Sequence, residues 1–422
     1  MSAVSLYCQN SVYGPESCYE KQTEEQRTVV ANKIVEICKK CIASRDSRLV
    51  YKKTSLGATG TTLLCSISGE LLREYDIREI DLPPFLRGGD QKVPFSFQGI
   101  NVLLKYVKRD FAYNERFCAE FLKKFGFETP DLFISDKVEG YDIRGSALGD
   151  DNLLAFMYAF PGATLHSLVN TMALYQISES CYQQVLCDIG KVVIFDLLIA
   201  NEDRFFRYDV NTPEKIIKFI NQGNIMFNLK PTNDHKTART WEATYYIDNT
   251  TKPQLCPLAK SVSTSVLSLG GSLFASQDEE FDWEDEEEDT IEPNPIIAKP
   301  IDLERFSQAF AYYTDESHHG ELAEVVAEGI RDYLVKMQQR NVDQNLFTGS
   351  EEVLIRFQNM EFLKPALEEG FRKGIQLLKE QTFNLDDFIQ EVKQITGAKN
   401  SFCQKTIDMI NLSLKVPQLT AL

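Results

Sequence analysis

Three polar residues stand at the ends of apolar stretches in this sequence. Val192 to Arg204 reads Val-Val-Ile-Phe-Asp-Leu-Leu-Ile-Ala-Asn-Glu-Asp-Arg, an apolar helix that stops at the carboxylate Asp203. Gly223-Asn224-Ile225-Met226-Phe227 sets an amide, Asn224, at the start of a strand, and Tyr245-Tyr246-Ile247-Asp248-Asn249 sets a second carboxylate, Asp248, at the end of another. Phosphoryl transfer from ATP calls for such a set: a carboxylate to orient the attacking hydroxyl, and an Asn and an Asp to hold Mg²⁺ on the phosphates. Their side-chain oxygens suit a hard cation such as Mg²⁺ or Mn²⁺.

Taken in order, Asp203-Arg204, Asn224-Ile225-Met226 and Ile247-Asp248 resemble the D-R-x-x-x-N-I-M and following Asp of phosphoinositide kinases, with Phe205 to Gln222 inserted after the Arg. Asn201-Glu202-Asp203-Arg204, Gly223-Asn224 and Ile247-Asp248-Asn249 are closer to the N-x-D-R, G-N and I-D of the actin-fragmin-kinase-like group. The resemblance implies Asp203 as the catalytic carboxylate and Asn224 and Asp248 as metal ligands. It also implies a hinge at Leu153 to Gly162, where backbone groups at Met157 and Tyr158 receive adenine; a core strand ending in a Pro-Gly turn is the plainer reading. That group includes effectors that intracellular bacteria deliver into host cells. Asp248 is followed by Asn249-Thr250 rather than Phe-Gly, a departure from typical protein kinases.

Upstream elements must hold the nucleotide. A helix over Glu24 to Ser44 carries Val29, Val30, Ile34, Val35, Ile37 and Cys38 at helical spacing. Strands at 49–54 and 61–67 flank Ser55-Leu56-Gly57-Ala58-Thr59-Gly60, where small residues (Gly57, Ala58, Thr59 and Gly60) let backbone N–H groups approach a phosphate, or make an ordinary hairpin turn. After a long insertion at 68–96, the strand 100–107 presents Lys105 among apolar neighbours. Kinases place such a lysine on the α- and β-phosphates and pair it with a helix glutamate. In a helix over 114–125, Glu115 shares the face of Cys118, Leu122 and Phe125, and Glu120 is the alternative partner.

Helices are expected over 164–175 and 179–201, strands over 215–219, 224–229 and 243–247, and helices over 301–314, 321–340, 350–358, 361–380, 384–396 and 400–414. The expected fold class is α+β, a two-lobed protein-kinase-like fold with a small β-rich N-lobe (46–160) and a large, mostly helical C-lobe (161–415). A lead-in and helix (1–45) precede it, a tail (416–422) follows, and an acidic insertion at about 261–298 reads as disordered.

A chain of 422 residues with 43% hydrophobic content can bury a sizeable core. The net charge of −17 argues against general nucleic-acid binding, which needs basic surface. Ten of those charges lie between Asp278 and Asp289, and setting them aside leaves −7, ordinary for an acidic domain. No apolar run approaches the roughly 20 residues of a membrane span, because Asp196 interrupts the longest, Val192 to Ala200. The amino terminus has no basic segment followed by a long apolar one, so no signal peptide is expected. Ten scattered cysteines fit a reducing compartment, and Cys38-Lys39-Lys40-Cys41 reads as two half-buried helix cysteines rather than a zinc or redox pair.

The sequence therefore leads to an ATP- and Mg²⁺-dependent kinase acting on a hydroxyl, a protein Ser/Thr in preference to a lipid because few basic residues follow Asp248. The expected location is cytoplasmic, or host cytosol for a delivered effector. Two alternatives stay open: a phosphoinositide, inositol-phosphate or inositol-phosphate-regulated kinase, and a pseudokinase scaffold. Arg45, Arg48, Lys52 and Lys53 could receive a polyanionic activator such as an inositol phosphate, or form a solvated basic loop.

Overall fold

The computed structural model describes residues 22–57, 60–82, 99–129, 132–135, 152–158, 163–164, 178–209, 212, 215–221, 224–231, 239–246, 303–343, 357–381, 385–396 and 401–415. The chain is mixed α and β, mostly helical, with small sheets. Helix α1 (Glu24–Ser44) starts at a capping box in which the Thr23 hydroxyl accepts from the Gln26 N–H and the Gln26 side chain accepts from the Thr23 N–H. It lies against a five-stranded antiparallel sheet of β1 (Leu49–Gly57), β2 (Gly60–Ser68), β3 (Gly99–Lys108), β4 (Leu132–Ser135) and β5 (Asn152–Tyr158), in the order β1-β2-β3-β5-β4. Buried Ile34, Ile37 and Cys38 of α1 meet Leu63, Cys65, Ile100, Val102 and Leu104 of the sheet in a small core. Helix α2 (Gly69–Glu74) adds Leu71 and Leu72 to it.

A larger core gathers helix α3 (Arg109–Lys124), α4 (Glu179–Ile199) and the carboxy-terminal helices α5 (Leu303–Thr314), α6 (His319–Asp343), α7 (Met360–Gln381), α8 (Leu385–Thr396) and α9 (Ser401–Ser413). Helix α3 reaches both regions. Its Phe121 and Phe125 pack at a tilt against Phe388 and Phe195 in the larger core, with ring centroids 5.5 and 4.7 Å apart. The strand β6 (Ala163–Thr164) pairs with β9 (Ile225–Pro231), which pairs with β10 (Arg239–Tyr246). A two-stranded ribbon, β7 (Phe206–Tyr208) and β8 (Ile216–Lys218), follows α4.

Most expected elements that are described stand where the periodicity sets them, with three differences. Helix α3 begins at Arg109, five residues early, because Phe111 and Ala112 are buried with no Gly or Pro to stop the helix. Thr164, expected to open a helix, lies in β6 opposite Met226, and 165–177 lie outside the described residues. Strand β10 begins at Arg239, four residues before the strand expected over 243–247, because Arg239 pairs with Pro231 and Thr240 with Lys230. Of the helix expected over 350–358, only the last two positions are described. The acidic insertion, the amino-terminal lead-in and the 416–422 tail lie outside the described residues. Among the described residues, no helix is long and apolar enough to cross a membrane.

Helices α4 and α7 cross at glycine. A Cβ on Gly370 would sit 2.2 Å from the Cys187 carbonyl oxygen and 2.7 Å from the Gly190 Cα. Both obstacles are backbone, so the helices must part. Gly370→Ala is expected to lower stability by about 1–3 kcal/mol, read as a shift of the urea midpoint. At Gly320 a Cβ meets nothing closer than 4.0 Å, so Gly320→Ala is the control that should not destabilise.

Candidate functional site

Lys105 sits on β3 in the middle of the sheet, opposite Thr62 of β2 and Ala155 of β5. It is buried, and its Nζ lies 2.9 and 3.1 Å from the two carboxylate oxygens of Glu115, itself buried on α3. A buried ammonium keeps its charge only when paired, and Glu115 provides that pair. Glu120 turns instead to Lys123 on its own helix, at 2.8 Å. The neighbouring Asn114 donates to the Thr406 hydroxyl of α9 at 2.7 Å, so one turn of α3 is held by the sheet and by the helical core.

Helix α4 delivers Asp203. Its N-cap Ser178 accepts from the Cys181 N–H, and nearly every residue from Ile189 to Ile199 is buried. The helix closes with Ala200 in the left-handed region (φ 50°), while the Asn201 N–H donates back to the Asp196 carbonyl at 2.8 Å. This reversal brings the buried carboxylate of Asp196 against the turn that follows. Arg204, fully buried, donates to Asp196 through Nε (3.0 Å to Oδ2) and Nη2 (2.5 Å to Oδ1). Asn201 Nδ2 donates to the same Oδ1 at 3.3 Å, and Asn201 Oδ1 accepts the Asp203 N–H at 3.1 Å. Burial pushes the Asp196 carboxyl up to about 6, and Arg204 and Asn201 keep it from rising further.

Asn224, at the start of β9, meets Asp203 directly. Its Nδ2 lies 3.0 Å from the Asp203 carbonyl oxygen and 3.0 Å from Oδ2. Both atoms are acceptors, so the amide nitrogen must face them and Oδ1 faces away, where it can ligate a cation. Asp203 itself is only partly buried. The turn is fixed further by Asn221, whose N–H donates to the Arg204 carbonyl at 2.9 Å and whose own carbonyl accepts the Asn224 N–H at 3.1 Å.

The remaining sequence candidates fall as follows. Gly57 and Gly60 pair with each other at the close of the β1–β2 hairpin, and Ala58 and Thr59 lie outside the described residues. Met157 stands on β5 opposite Leu103 and Leu132, and Tyr158 opposite Val102. Asp248 lies outside the described residues, two positions after β10 ends at Tyr246. Among the described residues, no three His, Cys, Asp or Glu side chains gather as a metal cluster. Cys38 and Cys41 are both buried in α1; a hydrogen bond with the Cys65 thiol and burial hold the Cys38 thiol well above its ordinary value, so it stays protonated and is a poor metal ligand. Arg48 of the basic cluster is already engaged by Asp46 at 2.7 Å and Glu74 at 2.6 Å.

Sequence reasoning missed Asp196, which it read as a break in an apolar run, and it missed Asp188 and Tyr246. The Tyr246 hydroxyl donates to Asp188 Oδ2 at 2.8 Å, Asp188 also pairs with Lys191 at 2.5 Å, and the Arg204 guanidinium lies 5.4 Å from the Tyr246 ring centre. The signal was present: a lone carboxylate inside an apolar helix needs a buried cation, and Arg204 was the basic residue at hand. No protein-family model matches this chain, and no curated protein matches its sequence.

Proposed function

We propose that this chain is an ATP- and Mg²⁺-dependent kinase that transfers a phosphoryl group to a hydroxyl, nearest in kind to the actin-fragmin-kinase-like branch, with a two-lobed arrangement. The observation that carries the reading is the buried Lys105–Glu115 pair between the middle strand of the sheet and α3. A buried ion pair adds little stability over apolar residues of the same volume, so its presence calls for a use. Holding ATP phosphates is that use in kinases. The contact between Asp203 and Asn224 supports the same reading, since it sets an acceptor-orienting carboxylate beside a metal-binding amide.

In this reading Lys105 binds the α- and β-phosphates, and Glu115 keeps the ammonium charged and aimed. Asn224, with Asp248, would hold Mg²⁺, which supplies positive charge against the phosphates. Asp203 orients the acceptor hydroxyl and takes its proton. The acceptor we favour is a protein hydroxyl. The engagement of Arg48 by two carboxylates argues against a polyanion site at that residue.

The test is ADP production with Mg²⁺ or Mn²⁺ by wild type and Asp203→Ala, with and without cell extract as a source of acceptor or activator. Turnover present in wild type and absent from the variant is expected; no turnover under any condition would sink the reading. Lys105→Met removes a donor aimed at the phosphates and is expected to cut turnover by about 10²–10³-fold, measured in the same assay.

A further inference from the structure

Asp196 is the one acidic residue in the apolar second half of α4, and its carboxylate is fully buried. Neutralising Arg204 alone does not explain it, because an apolar pair would fill the same space at no loss of stability. Its contacts suggest more. Asp196 grips both ends of the turn 201–204, Asn201 through Oδ1 and Arg204 through both oxygens. Between those ends stands Asp203, whose N–H is held by the Asn201 side chain that Asp196 itself fixes. The carbonyl of Asp203 is held by Asn224 and that of Arg204 by Asn221.

We propose that Asp196 is a positioning residue for the kinase reaction, fixing the backbone of Asp203 through Asn201 and Arg204 so that the Asp203 carboxylate is presented in one orientation. The inference rests on the kinase reading of Asp203. The groups facing Asp196 are Arg204, Asn201, the carboxylate of Asp203 and the phenols of Tyr208 and Tyr246. Burial raises both phenols well above their ordinary value, so they stay neutral. Arg204 is thus the only cation on Asp196 among these groups. A proton on Asp196 would remove an acceptor that Asn201 and Arg204 share.

The experiment compares wild type, Asp203→Ala, Asp196→Asn and Asn201→Ala in steady-state ATP turnover across pH. Asp196→Asn keeps the shape and is expected to lower kcat about 10–100-fold with KM for ATP unchanged, since the Lys105 side is untouched. Wild-type kcat is expected to fall as pH drops through about 6, and Asp196→Asn to lack that limb. Should Asp196→Asn not fold, Asn201→Ala decides: it spares the buried ion pair and is expected to lower kcat about 10-fold by freeing the Asp203 N–H. Wild-type turnover that needs Asp203, with kcat in the decisive variant equal to wild type, overturns the positioning role alone. Absence of Asp203-dependent turnover in wild type overturns the kinase reading and this role with it.

Discussion

Asp203→Asn should lose about 10²–10⁴-fold in turnover while binding nucleotide as wild type does. The amide has the size of the carboxylate, and its oxygen can still accept from Asn224 Nδ2, so the turn 201–204 should keep its hydrogen bonds. On the kinase reading, what it cannot do is take a proton from an acceptor hydroxyl or carry negative charge beside a bound cation. Nucleotide affinity should stay within a few-fold, because Lys105 and Glu115 lie on β3 and α3, outside the altered turn. ADP release and nucleotide titration on the same samples check both halves. An Asn variant retaining a tenth or more of wild-type turnover would mean that Asp203 does not act on the acceptor. A variant that lost nucleotide binding too would mean that the turn had collapsed, and catalysis could not be read from it.

The legible parts of this fold were those decided locally. Helix α1 starts and stops where the sequence sets it, because Thr23 and Gln26 cap it and Ile34, Ile37 and Cys38 recur on the face it buries. Strand β3 stands out because a run of β-branched and apolar residues bounded by glycine favours a central strand. The inward face of α3 gave Glu115 by the same logic. Illegible parts depended on partners distant in sequence. Strand β6 exists because Thr164 finds Met226, and the first residues of β10 exist because Arg239 finds Pro231. Nothing local distinguishes those residues from a helix start or a loop.

Within the candidate site the same division holds. Asp203 and Asn224 were visible by type and order, but their contact depends on a reversal at Ala200, a residue that sequence rules do not favour in the left-handed region. The role of Asp196 follows from that reversal, since only then does Arg204 come back to meet it. The contact of Tyr246 with Asp188, 58 positions apart, is tertiary from the start. It joins α4 to β10 as Asp196 joins α4 to the 201–204 turn, so one apolar helix anchors both segments through its two buried carboxylates. An apolar helix surrounded by core is rigid, which suits it to that task.

The two partners of the Asp196–Arg204 pair should differ in how costly they are to remove. Asp196→Ala strands a guanidinium that cannot give up its proton inside the protein, with an expected cost of about 3–5 kcal/mol. Arg204→Met strands a carboxylate that can escape by taking a proton. In wild type the folded carboxyl is already raised to about 6, above its ordinary value of 3.8, and without the cation it must rise further. A raised folded value means that the folded chain holds a proton the unfolded chain has lost, so stability falls as pH climbs from the unfolded value to the folded one. Wild type completes that fall near pH 6, whereas Arg204→Met continues it, by about 1.4 kcal/mol per pH unit. Urea denaturation at pH 6.5 and 8.5 should therefore show the Arg204→Met deficit growing while the Asp196→Ala deficit stays constant. The double variant Asp196→Leu/Arg204→Met, which leaves no stranded charge, should be more stable than Asp196→Ala. Equal, pH-independent deficits in the two single variants would mean that water reaches the pair and that its charges are screened rather than locked together.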